Sequence, residues 1–308
     1  MFDINTCKWV IWGAKRPYNT FGHIHEAFLR ALMHLGKDVR WLEHDENISG
    51  IDFSNTLFLS MNCVIQGMPR RRDCFYIVHN VQGDPSQSYF DGLTLLNYGI
   101  HITTTRYSPN VVEIGPESFF DRTSVATLNL RWGTDLFPHE IEANKPKKAF
   151  NDASRVCTFI GSIDDMKQPY LQGFSRAVQE NGYDWQTYGG HGGGRQVSIE
   201  EHIRIVKDSY MSPAMQGRDQ VEQGYISCRL FKNISYGQMG LTCAPYANEL
   251  FHGKLICNPD AHQLFYDARE RLQSMRVEEL HVLMDEVAAK YTYLNKVAAI
   301  ERAVEMCQ

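Results

Sequence analysis

The chain opens on a strand–helix–strand pattern that few folds other than a parallel α/β sheet accommodate. KWVIWG at 8–13 is a continuous apolar run of strand length. Beyond a polar loop, Ile24, Phe28, Leu32 and Leu35 recur at helical spacing, and Gly36 stands where that helix ends. DVRWLE at 38–43 is the next strand. A helix between two strands over so short a stretch is the repeat of a parallel α/β sheet.

Further strands are expected at 56–61 (TLFLSM), 74–79 (CFYIVH), 100–105 (IHITTT) and 124–130 (SVATLNL), with a helix at 87–98. The stretch HEIEANKPKKAFNDAS at 139–154 is charged and poor in apolar residues, so the domain boundary is expected there. The pattern then restarts. RVCTFIGS (155–162) reads as a strand, 169–182 as a helix ended by Gly182, and 183–190 as a strand. Ser198 three residues before Glu201 is a capping-box signature for the next helix. YMSPAM, LTCAP and KLICN follow as strands, and helical sequence runs to the end. Two α/β domains are expected, 1–145 and 146–308, with the last helix free to pack back on the first. Ligands of such sheets bind at the carboxyl ends of strands, and a two-domain pair offers the cleft between its halves.

Length and composition agree: 308 residues suit two domains, and 43% hydrophobic with 22% charged residues is globular composition. Net charge is -5, so any anion site must be local. No apolar run approaches the length of a membrane span. The start lacks a secretory signal pattern, so a cytoplasmic protein is expected. The eight cysteines form no CxxC pair, and several lie inside apolar runs. They read as buried free thiols of a reducing compartment, and the clustered spacing of a zinc site is absent.

The stretch GYISCRLFKNISYGQMG at 224–240 carries the strongest functional signal. Ser227 can cap a helix. Leu230, Phe231 and Ile234 form one face; Arg229, Lys232, Asn233 and Tyr236 follow at i, i+3, i+4 and i+7 on the other. No acidic partner stands beside them in sequence. Arg229 occupies the first turn, where a cation opposes the helix dipole by about 0.3–1 kcal/mol. An anion at that end would reconcile the two, since free N–H groups, dipole and Arg229 would converge on a phosphate. The plain alternative is a solvated face with Gly237 as the C-cap.

RLFKNISYG resembles the donor-binding R-x-F-E-x-x-x-x-G segment of GT-B glycosyltransferases, matching at Arg229, Phe231 and Gly237 with the glycine one residue further along. From FIGS through this segment to YTYLNK, the chain is similar to CgeB-like bacterial glycosyltransferases and to those of large viruses. The resemblance implies two Rossmann-like domains facing each other across a cleft. It implies a glycosyltransferase using a nucleotide-diphosphate sugar of the UDP or GDP type, a glycan or other hydroxyl acceptor, and no further cofactor. Donor contacts would come from Gly161, Ser162, Arg229, Lys232, Asn233, Ser235, Tyr236 and Gly237. Lys232 departs from the pattern, since many relatives place an acidic residue there for the ribose.

PYNTFGHIHEAF at 17–28 joins the first strand to the first helix. GHIHE resembles the G-H-x-x-P pattern of some inverting members, with Glu26 in place of the proline. His23 would be the general base, a role that suits an imidazole near neutral pH, with inversion as the outcome. His25 and Glu26 are acceptor-side candidates, and Asp84 would orient the base. The alternative reading of His23 is a helix cap.

YGGHGGGRQVS at 188–198 could bring backbone and Arg195 close to a phosphate, or be a plain connection. No D-x-D occurs, which fits metal-free stabilisation of the leaving diphosphate. The arginines of MPRRRDC read as a solvated loop, and no nucleic-acid motif is present, so no nucleic-acid partner is expected. Two other functions compete: a nucleotide-sugar epimerase, and a non-catalytic nucleotide- or sugar-binding protein of the same fold.

Overall fold

The computed structural model describes residues 2–13, 15, 20–61, 67–79, 99–104, 112–114, 117–122, 125–189 and 197–308. The chain forms two compact units. Residues 1–131 and 293–308 make the first, and 132–292 the second.

The first unit is built on an eight-stranded sheet. Its strands are β1 (Lys8–Trp12), β2 (Val39–Leu42), β3 (Thr56–Met61), β4 (Phe75–His79), β5 (Gly99–Thr103), β6 (Val112–Ile114), β7 (Glu117–Arg122) and β8 (Val125–Asn129). The order is β2-β1-β3-β4-β5-β8-β7-β6, parallel from β2 to β8 and antiparallel for β7 and β6. Nearly every residue of β1, β3 and β4 is buried, as both faces of a parallel sheet require. Helix α1 (Thr20–His34) follows β1 and turns Ile24, Phe28 and Leu32 into the core. Leu35 lies past the helix end and is 44% exposed, because the chain has begun its turn at Gly36. The helix expected at 87–98 lies outside the described residues.

The second unit opens with helix α2 (Pro138–Ala143). Strand β9 (Val156–Ile160) leads to α3 (Gln168–Glu180), and β10 (Asp184–Tyr188) to α4 (Ile199–Asp208). Then come α5 (Arg218–Glu222), α6 (Cys228–Ser235), β11 (Leu241–Thr242), α7 (Pro245–Leu250), β12 (Ile256–Cys257), α8 (Ala261–Ser274) and α9 (Val277–Lys290). Strands β10 and β9 pair in parallel, as do β11 and β12. The segment 210–214 joins the two pairs through parallel bridges from Met211 to Cys157 and from Ala214 to Thr242. The strand order is therefore β10, β9, 210–214, β11, β12. Ser198 caps α4 by accepting from the Glu201 N–H at 3.1 Å.

Residues 139–154, where the sequence suggested a boundary, lie inside this unit. Their charges bind within it: Lys145 pairs with Asp285 at 2.7 Å, and Pro146 accepts from His281 at 2.9 Å. Helix α10 (Tyr293–Cys307) belongs to the first unit. There Tyr293 meets the Phe28 ring edge-on at 4.8 Å, and Lys37 pairs with Glu301. Among the described residues no helix is long and apolar enough to cross a membrane, and the seven described cysteines are free.

Candidate functional site

The strand order of the second unit reverses direction once, between β9 and 210–214. At such a reversal the carboxyl ends of two parallel strands open a crevice that ligands occupy. Ile160 and Gly161 end one strand here, and Met215 follows the other.

Arg229 spans this point. It stands in the first turn of α6, whose N-cap Ser227 accepts from the Arg229 N–H at 3.3 Å. Its Nε donates to the Ile160 carbonyl and its Nη1 to the Met215 carbonyl at 2.9 Å. The guanidinium lies over the Phe159 ring, 4.3 Å from the centroid. Gly161 carries a φ of +152° and lies so close to the guanidinium that a Cβ there would overlap it. A planar fork reaching two carbonyls while stacking on a ring is arginine chemistry that lysine does not reproduce.

A second cation stands beside it. Lys167 precedes α3; its side chain is 6% exposed, and its Nζ donates to the Ser162 carbonyl and the Asp164 carboxylate, each at 2.9 Å. Burial first, then the nearby Arg229 charge, pull the Lys167 ammonium below its ordinary pKa. Asp164 opposes that on Lys167 and also acts on Arg229. Two cations thus share one half-exposed carboxylate at the carboxyl end of β9, which is the local positive site that a chain of net charge -5 needs for an anion. Sequence reading passed over Lys167. The usable signal was Pro169, which marks a helix start and places Lys167 at its N-cap.

The other half of the sequence reading is corrected. Lys232, Asn233, Ser235 and Tyr236 do not face solvent: their exposures are 7%, 1%, 0% and 0%. The acidic partner of Lys232 is Asp135, whose Oδ2 accepts from the ammonium at 2.7 Å. The Tyr236 hydroxyl donates to Asp135 Oδ1 at 2.7 Å. Asn233 Nδ2 donates to the Ser212 carbonyl at 2.7 Å, and Ser235 Oγ bonds Thr134 Oγ1 at 2.7 Å. Helix α6 is covered on both faces, one by the apolar core and the other by 134–135 and Ser212. Burial alone would raise the Asp135 pKa; the Lys232 charge and the bonds from Lys232 and Tyr236 overcome it and hold it at about 2. Gly237 closes α6 with a φ of +95° and packs on Asn144 and Pro146. Gly161 and Ser162 stay half-buried at the end of β9.

In the first unit, His23 and Glu26 are half-buried on α1. His25 is 2% exposed, and its Nε2 meets His79 Nε2 at 2.8 Å. His79 ends β4 and is fully buried. Burial lowers the His25 pKa to about 4, so the ring is neutral. His25 is therefore part of a buried histidine pair, not a surface group of the loop. Asp84 lies outside the described residues, as do 16–19 and the glycine-rich 190–196 with Arg195. Among the described residues no group of three or more His, Cys, Asp or Glu is placed to hold a metal.

No protein-family model matches the chain, and no curated protein matches it by sequence. Solved structures match by fold. One is an α-glucosyltransferase in complex with UDP and a 13-mer DNA containing a central A:G mismatch. It has a TM-score of 0.62 at 8% identity, covering 98% of this chain and 99% of that one. A second is an α-glucosyltransferase in complex with UDP and a 13-mer DNA containing a HMU base. Its TM-score is 0.55 at 9% identity, with 98% and 99% covered. The fold is the GT-B fold of Rossmann-like α/β units, as the sequence implied. The expectation of no nucleic-acid partner is overturned, because DNA is bound by proteins of this fold. DNA backbones are held by local side chains and N–H groups, so a missing sequence motif excludes nothing.

Proposed function

We propose that the chain is a glycosyltransferase that moves a sugar from a nucleotide-diphosphate sugar, of the UDP or GDP type, to a hydroxyl acceptor. The observation that carries this is Arg229 at the strand-order reversal of a GT-B unit, with Lys167 beside it and glycine at 161. The donor diphosphate would lie against Gly161, Ser162 and the first turn of α6. Charge that develops on the leaving diphosphate would meet Arg229, Lys167 and the helix dipole, already in place before reaction. A divalent metal is not needed for that stabilisation in this reading. The likeness of 229–237 to the donor-binding segment of GT-B glycosyltransferases supports the same assignment.

His23 is the proposed base for the acceptor hydroxyl, and inversion at the anomeric carbon follows from that role. The acceptor is a hydroxyl on a glycan or on a modified base in DNA, the latter because HMU-containing DNA is bound by a protein of this fold.

The test is thermal unfolding with UDP, GDP, dTDP, ADP and CMP at millimolar concentration, with and without EDTA. A ligand at a hundred times its Kd stabilises by about 2.7 kcal/mol. One diphosphate should raise the midpoint in EDTA, and Arg229→Ala should abolish the shift. No shift with any nucleotide sinks the assignment. Turnover with the matching sugar donor on glycans and on HMU-containing DNA identifies the acceptor, and the anomeric configuration of the product decides the role of His23.

A further inference from the structure

Helix α6 has eight residues, too few to hold itself in place. Leu230, Phe231 and Ile234 are fully buried and set its depth. Apolar burial is non-directional, however, and leaves rotation about the helix axis loosely fixed. Directional contacts come from the Ser212 carbonyl, which accepts from Asn233 Nδ2 at 2.7 Å, and from two adjacent residues, Thr134 and Asp135. Thr134 Oγ1 bonds Ser235 Oγ at 2.7 Å. Asp135 bonds Lys232 with one carboxylate oxygen and Tyr236 with the other, each at 2.7 Å. Lys232 and Tyr236 are four apart, so one carboxylate clamps a full turn of the helix. Arg229 lies three residues before Lys232 on the same side, so a rotation of α6 would move the guanidinium off the Ile160 and Met215 carbonyls.

A buried ion pair is often no more stabilising than apolar side chains of the same size. Asp135 and Lys232 are nevertheless 5% and 7% exposed. What such a pair supplies beyond an apolar one is direction. We propose that Asp135 is a positioning residue for the donor site: through Lys232 and Tyr236 it fixes the rotation of α6 and thereby holds Arg229 across the strand-order reversal. This rests on the reading of Arg229 as a donor-phosphate contact.

Two variants of the full chain test it. Asp135→Asn is nearly isosteric but places an amide against two donors. The triple variant Asp135→Leu, Lys232→Met, Tyr236→Phe removes every buried charge and donor of the clamp, so it keeps a folding route if the single variant has none. Two readouts are taken: hydrogen exchange of the Arg229 Nε–H by NMR, and Kd for UDP. Both variants should exchange the Arg229 Nε–H faster and raise the UDP Kd at least about tenfold, the low end for a lost charge-assisted hydrogen bond. A folded triple variant with wild-type Nε–H exchange overturns the proposal, whatever its UDP affinity. Faster exchange in the variants of a protein whose wild type binds no UDP leaves the positioning role standing and removes the donor reading instead.

Discussion

The Arg229 guanidinium lies against the Cα of Gly161 with no room for a side chain between them. Two residues 68 positions apart in sequence thus share one small space at the end of β9. Gly161→Ala would push the guanidinium off its two carbonyls and add strain at a φ of +152°. The expected cost is about 1–3 kcal/mol of stability, together with loss of UDP binding. Urea unfolding and calorimetric titration check both; an alanine variant that binds UDP as well as wild type would show that the guanidinium can leave freely.

The shared carboxylate predicts opposite effects from neighbouring substitutions. Lys167→Met should weaken UDP binding about tenfold, the scale of one charge-assisted contact. Asp164→Asn should tighten it by about two- to fivefold, the worth of a largely exposed charge, because it relieves two cations of their resident anion. Titration calorimetry at low and moderate salt reads both, and looser binding in Asp164→Asn would contradict the charge balance described.

Acid should weaken the first unit through His25. Its folded pKa of about 4 lies below the ordinary 6.5, so the unfolded chain takes up the proton first. The stabilisation is complete above pH 6.5 and is lost as pH falls through that value toward 4. The shift corresponds to about 3.5 kcal/mol at most, at about 1.4 kcal/mol per pKa unit. The stability difference between wild type and His25→Phe should therefore shrink between pH 7 and pH 4.5. A constant difference over that range would show that His25 does not titrate between the two states.

Breaking the Asp135–Lys232 pair should be far worse than removing it. Lys232→Met leaves a buried carboxylate and should cost about 3–5 kcal/mol, while the triple apolar replacement should come within about 1–2 kcal/mol of wild type. Asp135 also brings an acid dependence: its pKa is lowered from 3.8 to about 2, so its stabilisation is present above 3.8 and lost as pH falls through 2. Urea midpoints of the variants at neutral pH decide the ordering.

Sequence spacing read the parallel strands, α1, the α4 cap and the Ser227 cap, because each depends on neighbours within a turn or a strand. It missed β7 and the three-residue edge strand β6, the antiparallel end of the sheet, whose sequences lack the continuous apolar run of a central parallel strand. It also took the whole polar face of α6 for a donor contact, with a solvated face as the alternative, where most of that face is buried against partners. Polar residues at i, i+3, i+4 and i+7 look alike whether they meet water or a partner 97 residues away. The clue was Asp135, a single carboxylate among the apolar residues of WGTDLF, which needed a cation once buried. Arg229 and Gly161 were legible as candidates, but their contact was not, since only the strand order brings them together.

The first unit is interrupted: its helix α10 is joined to the rest only after the whole of 132–292. A ribosome therefore delivers every residue of the second unit before α10. Domains generally fold as units during synthesis, and here the first unit is completed only after the second. Until α10 arrives, Phe28 of α1, which receives Tyr293, and Lys37 beyond the helix end, which receives Glu301, stay uncovered. During that interval the nascent chain carries a finished second unit beside an unfinished first one, and it is the first unit that would engage chaperones.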